Sequence, residues 1–353
     1  MKRVERMRAS MLALNLDACV VSRPENIRYL SGFTGGEGIL FIRPGKAYLL
    51  TDFRYIEQAK AEAPEFEIVQ IKENRYAPLK DVGGERGQIG FEGDFLTYTE
   101  YEKLQQALPG ATFRSVSETV TSLRGVKDAG EIALIRQAVK AADAAFEVLL
   151  QERLVGQTEE EIFLALEFAV RKAGASGRSF DFIVASGWRG ALPHGTASSK
   201  VVERGEFLTL DFGGVVHGYC SDITRTVAIG EPDEKQREIY DIVLAAQKEG
   251  VRAVKPGLTG KEVDAVARKV IETHGYGEYF GHGLGHSVGL AIHEGPNLSV
   301  REERILEPGM VLTVEPGIYI PNWGGVRIED MVLVTETGCE VLTQSPKDLI
   351  IIE

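Results

Sequence analysis

The second half of the chain repeats itself, and that restricts its fold more than any other feature. Gly156-Gln157-Thr158-Glu159-Glu160-Glu161-Ile162 and Gly257-Leu258-Thr259-Gly260-Lys261-Glu262-Val263 share a G-x-T-x-x-E-aliphatic pattern 101 residues apart, each between two helical patterns. Gly205 to Asp211 (GEFLTLD) and Gly309 to Glu315 (GMVLTVE) share a glycine, a Leu-Thr pair and a final acid 104 residues apart. Thr158 and Glu161 have the spacing of a capping box, in which hydroxyl and carboxylate satisfy each other's free amides at a helix start. Two echoes in one order predict a degenerate helix-helix-strand duplication, each copy delivering a carboxylate from the end of an equivalent strand. His194 and His293, 99 residues apart, extend the correspondence.

Half of the six histidines (His282, His286 and His293) fall in GHGLGHSVGLAIHEGP, residues 281 to 296. The glycines of this stretch disfavour a long helix, so a loop entering a strand is expected. The spacing of His282 and His286 is therefore not a helical HExxH zinc motif. One such histidine alone reads as a surface residue on a glycine-rich turn; the carboxylates change that. FLTLDFGGVVHGYCSDITRTVAI reads as a β-hairpin with Asp211 ending the first strand and Asp222 on the return. MVLTVEPGIYIPNWGGVRIEDMVLV places Glu315 before a turn and Glu329 inside a returning strand, VRIEDMVLV.

A single acid in a strand is commonly surface-facing or paired with arginine. Four acids in apolar runs are costly to bury as charges without positive partners, and beside a histidine cluster they predict a metal site of Asp211, Asp222, His286, Glu315 and Glu329. So many carboxylates suit two divalent cations sharing bridging oxygens. Asp222 and Glu329, at matching places on the two return strands, are expected to bridge. An oxygen-rich set with one imidazole favours Mn²⁺ or Co²⁺ and also accommodates Fe²⁺ or Zn²⁺. Arg327, two residues before Glu329, shares its strand face and is expected to orient a ligand carboxylate.

Before residue 125 the pattern differs. Runs at 18–22, 38–42, 46–50, 66–71 and 88–91 alternate with helical segments at 52–63 and 97–108, predicting an α/β domain over 1–125 and a second domain over 126–353. GFTGGEG (32–38) precedes a strand, where a dinucleotide fingerprint needs a helix, and is read as a loop. The basic N-terminus is interrupted by Asn15 and Asp17, which fits an amphipathic helix better than a signal peptide. Cys19, Cys220 and Cys339 are scattered without a CxxC, consistent with a cytoplasmic protein. A net charge of −12 argues against nucleic-acid binding, and no apolar run reaches the ~18 residues of a membrane span.

LTLDFG, CSDITRT, HGLGHSVGLAIHEGP, VLTVEPGIYI and GGVRIED resemble the signatures of metallopeptidases with the creatinase, or pita-bread, fold, in the Xaa-Pro branch that contains aminopeptidase P and prolidase. The resemblance spans essentially the whole chain. It implies an α/β N-terminal domain followed by an α+β pita-bread catalytic domain with an internal pseudo-twofold duplication. Position by position it assigns Asp211 to one metal, Asp222 and Glu329 to the bridge, and His286 and Glu315 to the other metal. It also implies substrate-facing roles for His194 (in LPHGTAS), His282, His293 and Arg327. Such an enzyme cleaves proline-containing peptides through a metal-activated water. Glu315 is the candidate proton carrier, and His293 and His194 are candidate donors to the scissile carbonyl. A homodimer is implied as well.

Tyr319 and Trp323 are the aromatics near the site that could flank proline. Dipeptide-cleaving members generally carry an arginine just after HE-x-P; here Asn297 stands there, with Arg301 as a candidate substitute. This favours an aminopeptidase P type that also accepts longer peptides, with strict Xaa-Pro dipeptidase as the alternative. Methionine aminopeptidase shares the fold but usually lacks such an N-terminal domain and the VRIED pattern. Creatinase works without metal, and a non-catalytic peptide-binding module should have lost ligands, whereas all five positions are present.

Overall fold

The apolar runs of the N-terminal part become strands β1 (Ala18–Val21), β2 (Ile39–Ile42), β3 (Ala47–Thr51), β4 (Glu67–Gln70) and β5 (Gly87–Phe91). The computed structural model describes residues 3–72, 74–83 and 86–353 and divides into two units, Met1–Arg124 and Gly125–Glu353. In the first unit, a strand that no sequence pattern had marked, β6 (Ala111–Ser115), completes a sheet of order β4-β3-β2-β1-β5-β6. Helix α1 (Arg3–Ala13) buries Val4, Met7 and Met11 at helical spacing, the amphipathic helix expected there. Helix α2 (Pro24–Ser31) was not anticipated. It starts with proline where the absent N–H costs nothing and ends at Gly32, whose φ of 82° favours glycine. α3 (Ile56–Glu62), α4 (Tyr98–Ala107) and α5 (Ser117–Ser122) complete the unit.

The second unit builds the duplication. Its first copy comprises α6 (Ala129–Leu149), α7 (Glu159–Lys172), β7 (Gly177–Arg178), β8 (Ile183–Ser186), β9 (Glu206–Phe212), β10 (Gly214–Val216), β11 (Tyr219–Cys220) and β12 (Ile223–Ile229). The second runs through α8 (Glu234–Ala253), α9 (Gly260–Thr273), β13 (Gly285–Ser287), β14 (Glu294–Leu298), β15 (Val311–Val314), β16 (Gly317–Ile320), β17 (Gly324–Arg327) and β18 (Asp330–Val334). β19 (Cys339–Val341) and β20 (Ile351–Ile352) then close the two sheet edges. Thr158 and Thr259 both cap their helices in full capping boxes, so the repeated motif is one helix start used twice. Antiparallel β8-β9-β12 in one copy corresponds to β13-β15-β18 in the other.

Alternation along these strands explains the second echo. Leu208, Leu210 and Phe212 pack with Phe146, Leu166 and Phe182 in one core, while Leu312 and Val314 pack with Ile239 and Val263 in another. Each such side chain contributes roughly 1.5–3 kcal/mol by burial. In Leu-Thr-x-acid the threonine and the acid are then forced together onto the opposite face. Thr209 and Asp211 share that face in the first copy, and Thr313 points the same way as Glu315 in the second. No helix among the described residues is long and apolar enough to cross a membrane.

Candidate metal centre

Strand pairing brings the acids together. Asp211 on β9 lies across from Thr224 on β12, and Asp222 sits just before β12, between β11 and β12. Glu329 occupies the equivalent place between β17 and β18. The sequence reading of VRIEDMVLV as one strand needs correction here: the ladder breaks at Ile328 and Glu329. The Glu329 amide donates across the copies to the Thr224 carbonyl at 3.1 Å, so its backbone leaves the β17 ladder and its side chain turns inward. Arg225 holds the same backbone from the other side, donating to the Glu329 carbonyl and, at 2.9 Å, to Asp330 Oδ1. As a result, oxygens of Asp211, Asp222 and Glu329 all lie within 4.8 Å of one another.

His286 and Glu315 extend the cluster. The Glu315 amide donates to the Leu284 carbonyl at 2.8 Å, and its Oε1 accepts from Thr313 Oγ1 at 3.1 Å. His286 Nδ1 lies 3.2 Å from the Ser287 carbonyl, which assigns the proton to Nδ1. Nε2 then presents a bare lone pair 3.6 Å from Asp222 Oδ2 and 3.4 Å from Glu315 Oε1. Burial, reinforced by His293, pushes the His286 pKa down to about 4, so the imidazole is neutral near pH 7.

These residues fit divalent cations on their own chemistry. Asp211 Oδ1 and Glu329 Oε1 are buried without a hydrogen-bond partner among the described residues, a costly state for carboxylate oxygens unless a cation faces them. A neutral imidazole lone pair aimed at two carboxylates has the same requirement. Burial, followed by the charge of Glu329, holds the Asp222 pKa well above its ordinary value; burial, followed by Glu315, does so for Glu329. Glu315 rises to about 8, chiefly through burial and against the pull of Arg327. Such a group of acids ionises together only beside added positive charge.

Arg327, 3% exposed, joins this cluster to Tyr319, His282 and the segment that carries His194. Its Nη2 donates to Asp211 Oδ2 at 2.6 Å and its Nε to Thr224 Oγ1 at 3.1 Å, while Thr224 Oγ1 donates to Glu329 Oε2 at 2.8 Å. Its Nη1 donates to Tyr319 Oη at 2.9 Å and to the Pro193 carbonyl, beside His194, at 3.3 Å. Tyr319 Oη in turn lies 2.8 Å from His282 Nε2, whose Nδ1 meets the Gly283 carbonyl at 2.8 Å. The consistent proton arrangement has Nδ1 donating to that carbonyl and Nε2 accepting from the tyrosine. Burial, then the nearby Arg327, lowers the His282 pKa to about 4, which agrees with a neutral ring.

A cavity of about 780 Å³ lies over these groups, lined by all five predicted ligands together with His194, His282, His293, Tyr319 and Arg327. Phe180, Ile183, Pro193 and Ile292 give it an apolar wall. His194 and His293 are exposed to the cavity, and the His293 ring stands 4.5 Å from that of His286. Two sequence expectations are corrected. Trp323 is not part of this lining; it packs edge-on against Phe207 under the Lys235 ammonium. Arg301 is exposed and also outside the lining, whereas Asn297 is part of it. Thr224, Thr313 and Arg225 were missed, because threonine and arginine in strands carry no chemical signal until the pairing is known.

Residues 133–336 match metallopeptidase family M24, and residues 3–126 match the creatinase/prolidase N-terminal domain. The chain belongs to metallopeptidase family M24. It is 40% identical over 350 residues to the Xaa-Pro dipeptidase of Pyrococcus furiosus, covering 99% of both chains. Among solved structures, it superposes on an Xaa-Pro dipeptidase from Bacillus anthracis with a TM-score of 0.96, at 49% identity and 99% coverage of each chain. An X-Pro aminopeptidase from Thermotoga maritima MSB8 gives a TM-score of 0.91 at 41% identity, with 100% of each chain covered. The fold implied by the sequence signatures, a creatinase-type N-terminal domain before a pita-bread catalytic domain, is thus the fold of this M24 chain. M24 metallopeptidases use a dinuclear divalent metal centre, and the acidic cluster on the cavity floor has the donors for one.

Proposed function

We propose that this M24 peptidase hydrolyses the bond between an N-terminal residue and a following proline, accepting dipeptides and longer peptides. The observation that supports this reading is the convergence of Asp211, Asp222, His286, Glu315 and Glu329 beneath a cavity carrying three further histidines. Asp211 would hold one cation, His286 and Glu315 the other, and Asp222 and Glu329 both; the oxygen-rich set favours Mn²⁺ or Co²⁺. When bound, such cations acidify water and polarise a carbonyl.

The chain's own groups do the rest. Glu315 takes a proton from the attacking water and returns it to the leaving nitrogen, so the C–N bond breaks as a C–O bond forms, giving a carboxylic acid and the secondary amine of proline. His293 and His194 donate hydrogen bonds to the carbonyl oxygen as negative charge develops there. Neutral His282 has both ring nitrogens engaged, so it acts through Tyr319 by fixing the phenol beside Arg327. Proline has no N–H and a fixed φ, and the apolar wall of Phe180, Ile183 and Ile292 suits its ring. The Xaa-Pro names of the similar proteins support the same specificity. A homodimer and a cytoplasmic location belong to this reading, on the family resemblance and the scattered cysteines respectively.

The test is hydrolysis of a matched Xaa-Pro dipeptide and Xaa-Pro tripeptide after chelation and again after Mn²⁺ or Co²⁺ is restored. Both substrates should be cleaved only with metal. Cleavage confined to Met-initiated peptides without proline, or equal rates in chelator, would overturn the reading.

A further inference from the structure

Lys127, in the segment between α5 and α6, has a side chain only 1% exposed, and Glu294 beside it is 3% exposed. The ammonium donates to Ser287 Oγ at 2.9 Å and to the Gly125 carbonyl at 3.2 Å, and it pairs with Glu294 Oε2 at 3.3 Å. Ser287 directly follows His286 and Glu294 directly follows His293. One buried cation therefore grips the backbone neighbour of each of the two imidazoles that stand 4.5 Å apart at an interplanar angle of 71°.

The surroundings make this grip rigid. Ser287 Oγ donates to the Val311 carbonyl at 2.9 Å, tying it to β15. Glu294 Oε1 accepts from the Ala291 amide at 3.0 Å and so closes the loop that carries His293. A Cβ at Gly289 would stand 2.7 Å from Glu294 Oε2, which leaves room there only for glycine unless the carboxylate moves. Lys127's own amide donates to the Gly309 carbonyl at 2.9 Å, and Val126 bridges to Met310. The lysine is thereby anchored to the chain that leads into β15 and Glu315. Burying an ammonium and a carboxylate is a poor way to gain stability, since apolar residues of similar volume pack without the desolvation cost. What an ion pair adds is direction.

We propose that Lys127 is a positioning residue that sets the spacing and aim of His286 and His293 through Ser287 and Glu294. The inference rests on the reading of His293 as a donor to the substrate carbonyl, and its test separates the two. The charge-neutral pair Lys127→Met/Glu294→Gln is compared with wild type, Lys127→Arg, His293→Ala and the triple variant Lys127→Met/Glu294→Gln/His293→Ala. In metal-free protein, the histidine-ring NMR resonances of His286 and His293 should move or broaden while those of His194 and His282 stay in place. In metal-loaded protein kcat should fall roughly 10-fold, the scale of a lost outer contact, with KM nearly unchanged, and Lys127→Arg should recover most of the loss.

In the His293→Ala background the paired replacement should cost less than in wild type, because the part of the loss that passes through the His293 ring is already gone and only the part through His286 remains. Losses that multiply, or ring resonances identical to wild type, overturn the proposal. A His293→Ala enzyme with full kcat instead removes the donor reading of His293, and the ring resonances still decide the role of Lys127. If the paired variant does not fold, Ser287→Ala removes one contact of the ammonium, and the His286 ring signal reads the same question.

Discussion

Arg327 donates to Asp211 Oδ2 at 2.6 Å, while the other oxygen of that carboxylate, Oδ1, is buried with no hydrogen-bond partner among the described residues. The guanidinium thus fixes one half of the carboxylate and leaves the other half facing the cluster of Asp222 and Glu329. The two residues come from opposite copies of the duplication, so this contact joins the bonds of Thr224 and Arg225 to Glu329 in holding the halves of the site in register.

Lysine cannot reproduce this arrangement. Arg327 reaches Asp211, Thr224, Tyr319 and the Pro193 carbonyl with the three nitrogens of one planar group, and an ammonium is a single point charge. Arg327→Lys should leave the fold intact and lower kcat or metal affinity by roughly 10- to 100-fold, the range for outer partners of metal ligands. Titration calorimetry with Mn²⁺ alongside steady-state kinetics checks this, and wild-type values in both would contradict the role given to the arginine.

Removing the metal should make stability depend on pH in a specific direction. Burial, held in check partly by Arg327, raises the Glu315 carboxyl from its ordinary 4.5 to about 8, and Asp222 and Glu329 are raised as well. A raised carboxyl keeps its proton in the folded state after the unfolded chain has lost it. Its contribution is therefore complete below about pH 4.5 and disappears as pH climbs through 8. Chelated protein should lose thermal stability across that window, and added cation should restore more at pH 8 than at pH 5.5, because protons compete with metal for the same oxygens. Scanning calorimetry of wild type and Glu315→Gln isolates the effect; superimposable pH curves for the two chelated proteins would argue against it.

Thr224 links Arg327 to Glu329 through one hydroxyl, accepting from Arg327 Nε at 3.1 Å and donating to Glu329 Oε2 at 2.8 Å. Valine fills the same volume but strands a buried guanidinium N–H and a carboxylate oxygen. Thr224→Val should cost about 1–3 kcal/mol of stability in the metal-free protein, and Thr224→Ser should recover most of it. Thermal unfolding of the three proteins is the measurement, and a Thr224→Val protein as stable as wild type would remove the hydroxyl from the network.

This hydroxyl also marks the limit of what the sequence discloses. The five residues that the cavity brings together were legible because acids in apolar strands and histidines among glycines are chemically conspicuous, and because the Leu-Thr-x-acid repeat fixes which face Asp211 and Glu315 occupy. The paired capping boxes at Thr158 and Thr259 were legible for a similar reason, since a cap depends only on residues three apart. Thr224, Arg225 and Lys127 owe their places to partners about 100 to 170 residues away in sequence, which no local pattern reports. The break at Ile328 and Glu329 was hidden because VRIEDMVLV contains no glycine or proline to mark it. Trp323 misled because an aromatic near a site in sequence can still point into the core, where Phe207 receives it.

The sharpest separation of roles lies between Glu315 and His293, which share the cavity but meet different neighbours. Glu315 Oε1 faces the bare Nε2 of His286 at 3.4 Å, inside the ligand cluster, whereas His293 stands exposed on the wall with its ring against His286. Glu315→Gln keeps the shape but removes both the negative charge and the capacity to take a proton, so metal affinity and kcat should fall together. His293→Ala removes a donor to the developing oxyanion and leaves every proposed ligand in place, so kcat should fall by roughly 10²-fold with metal binding retained. Metal content by elemental analysis, read beside kcat for both variants, separates the outcomes. Loss of metal from His293→Ala would make that residue a ligand, and an active Glu315→Gln enzyme would move the proton carrier elsewhere in the cavity.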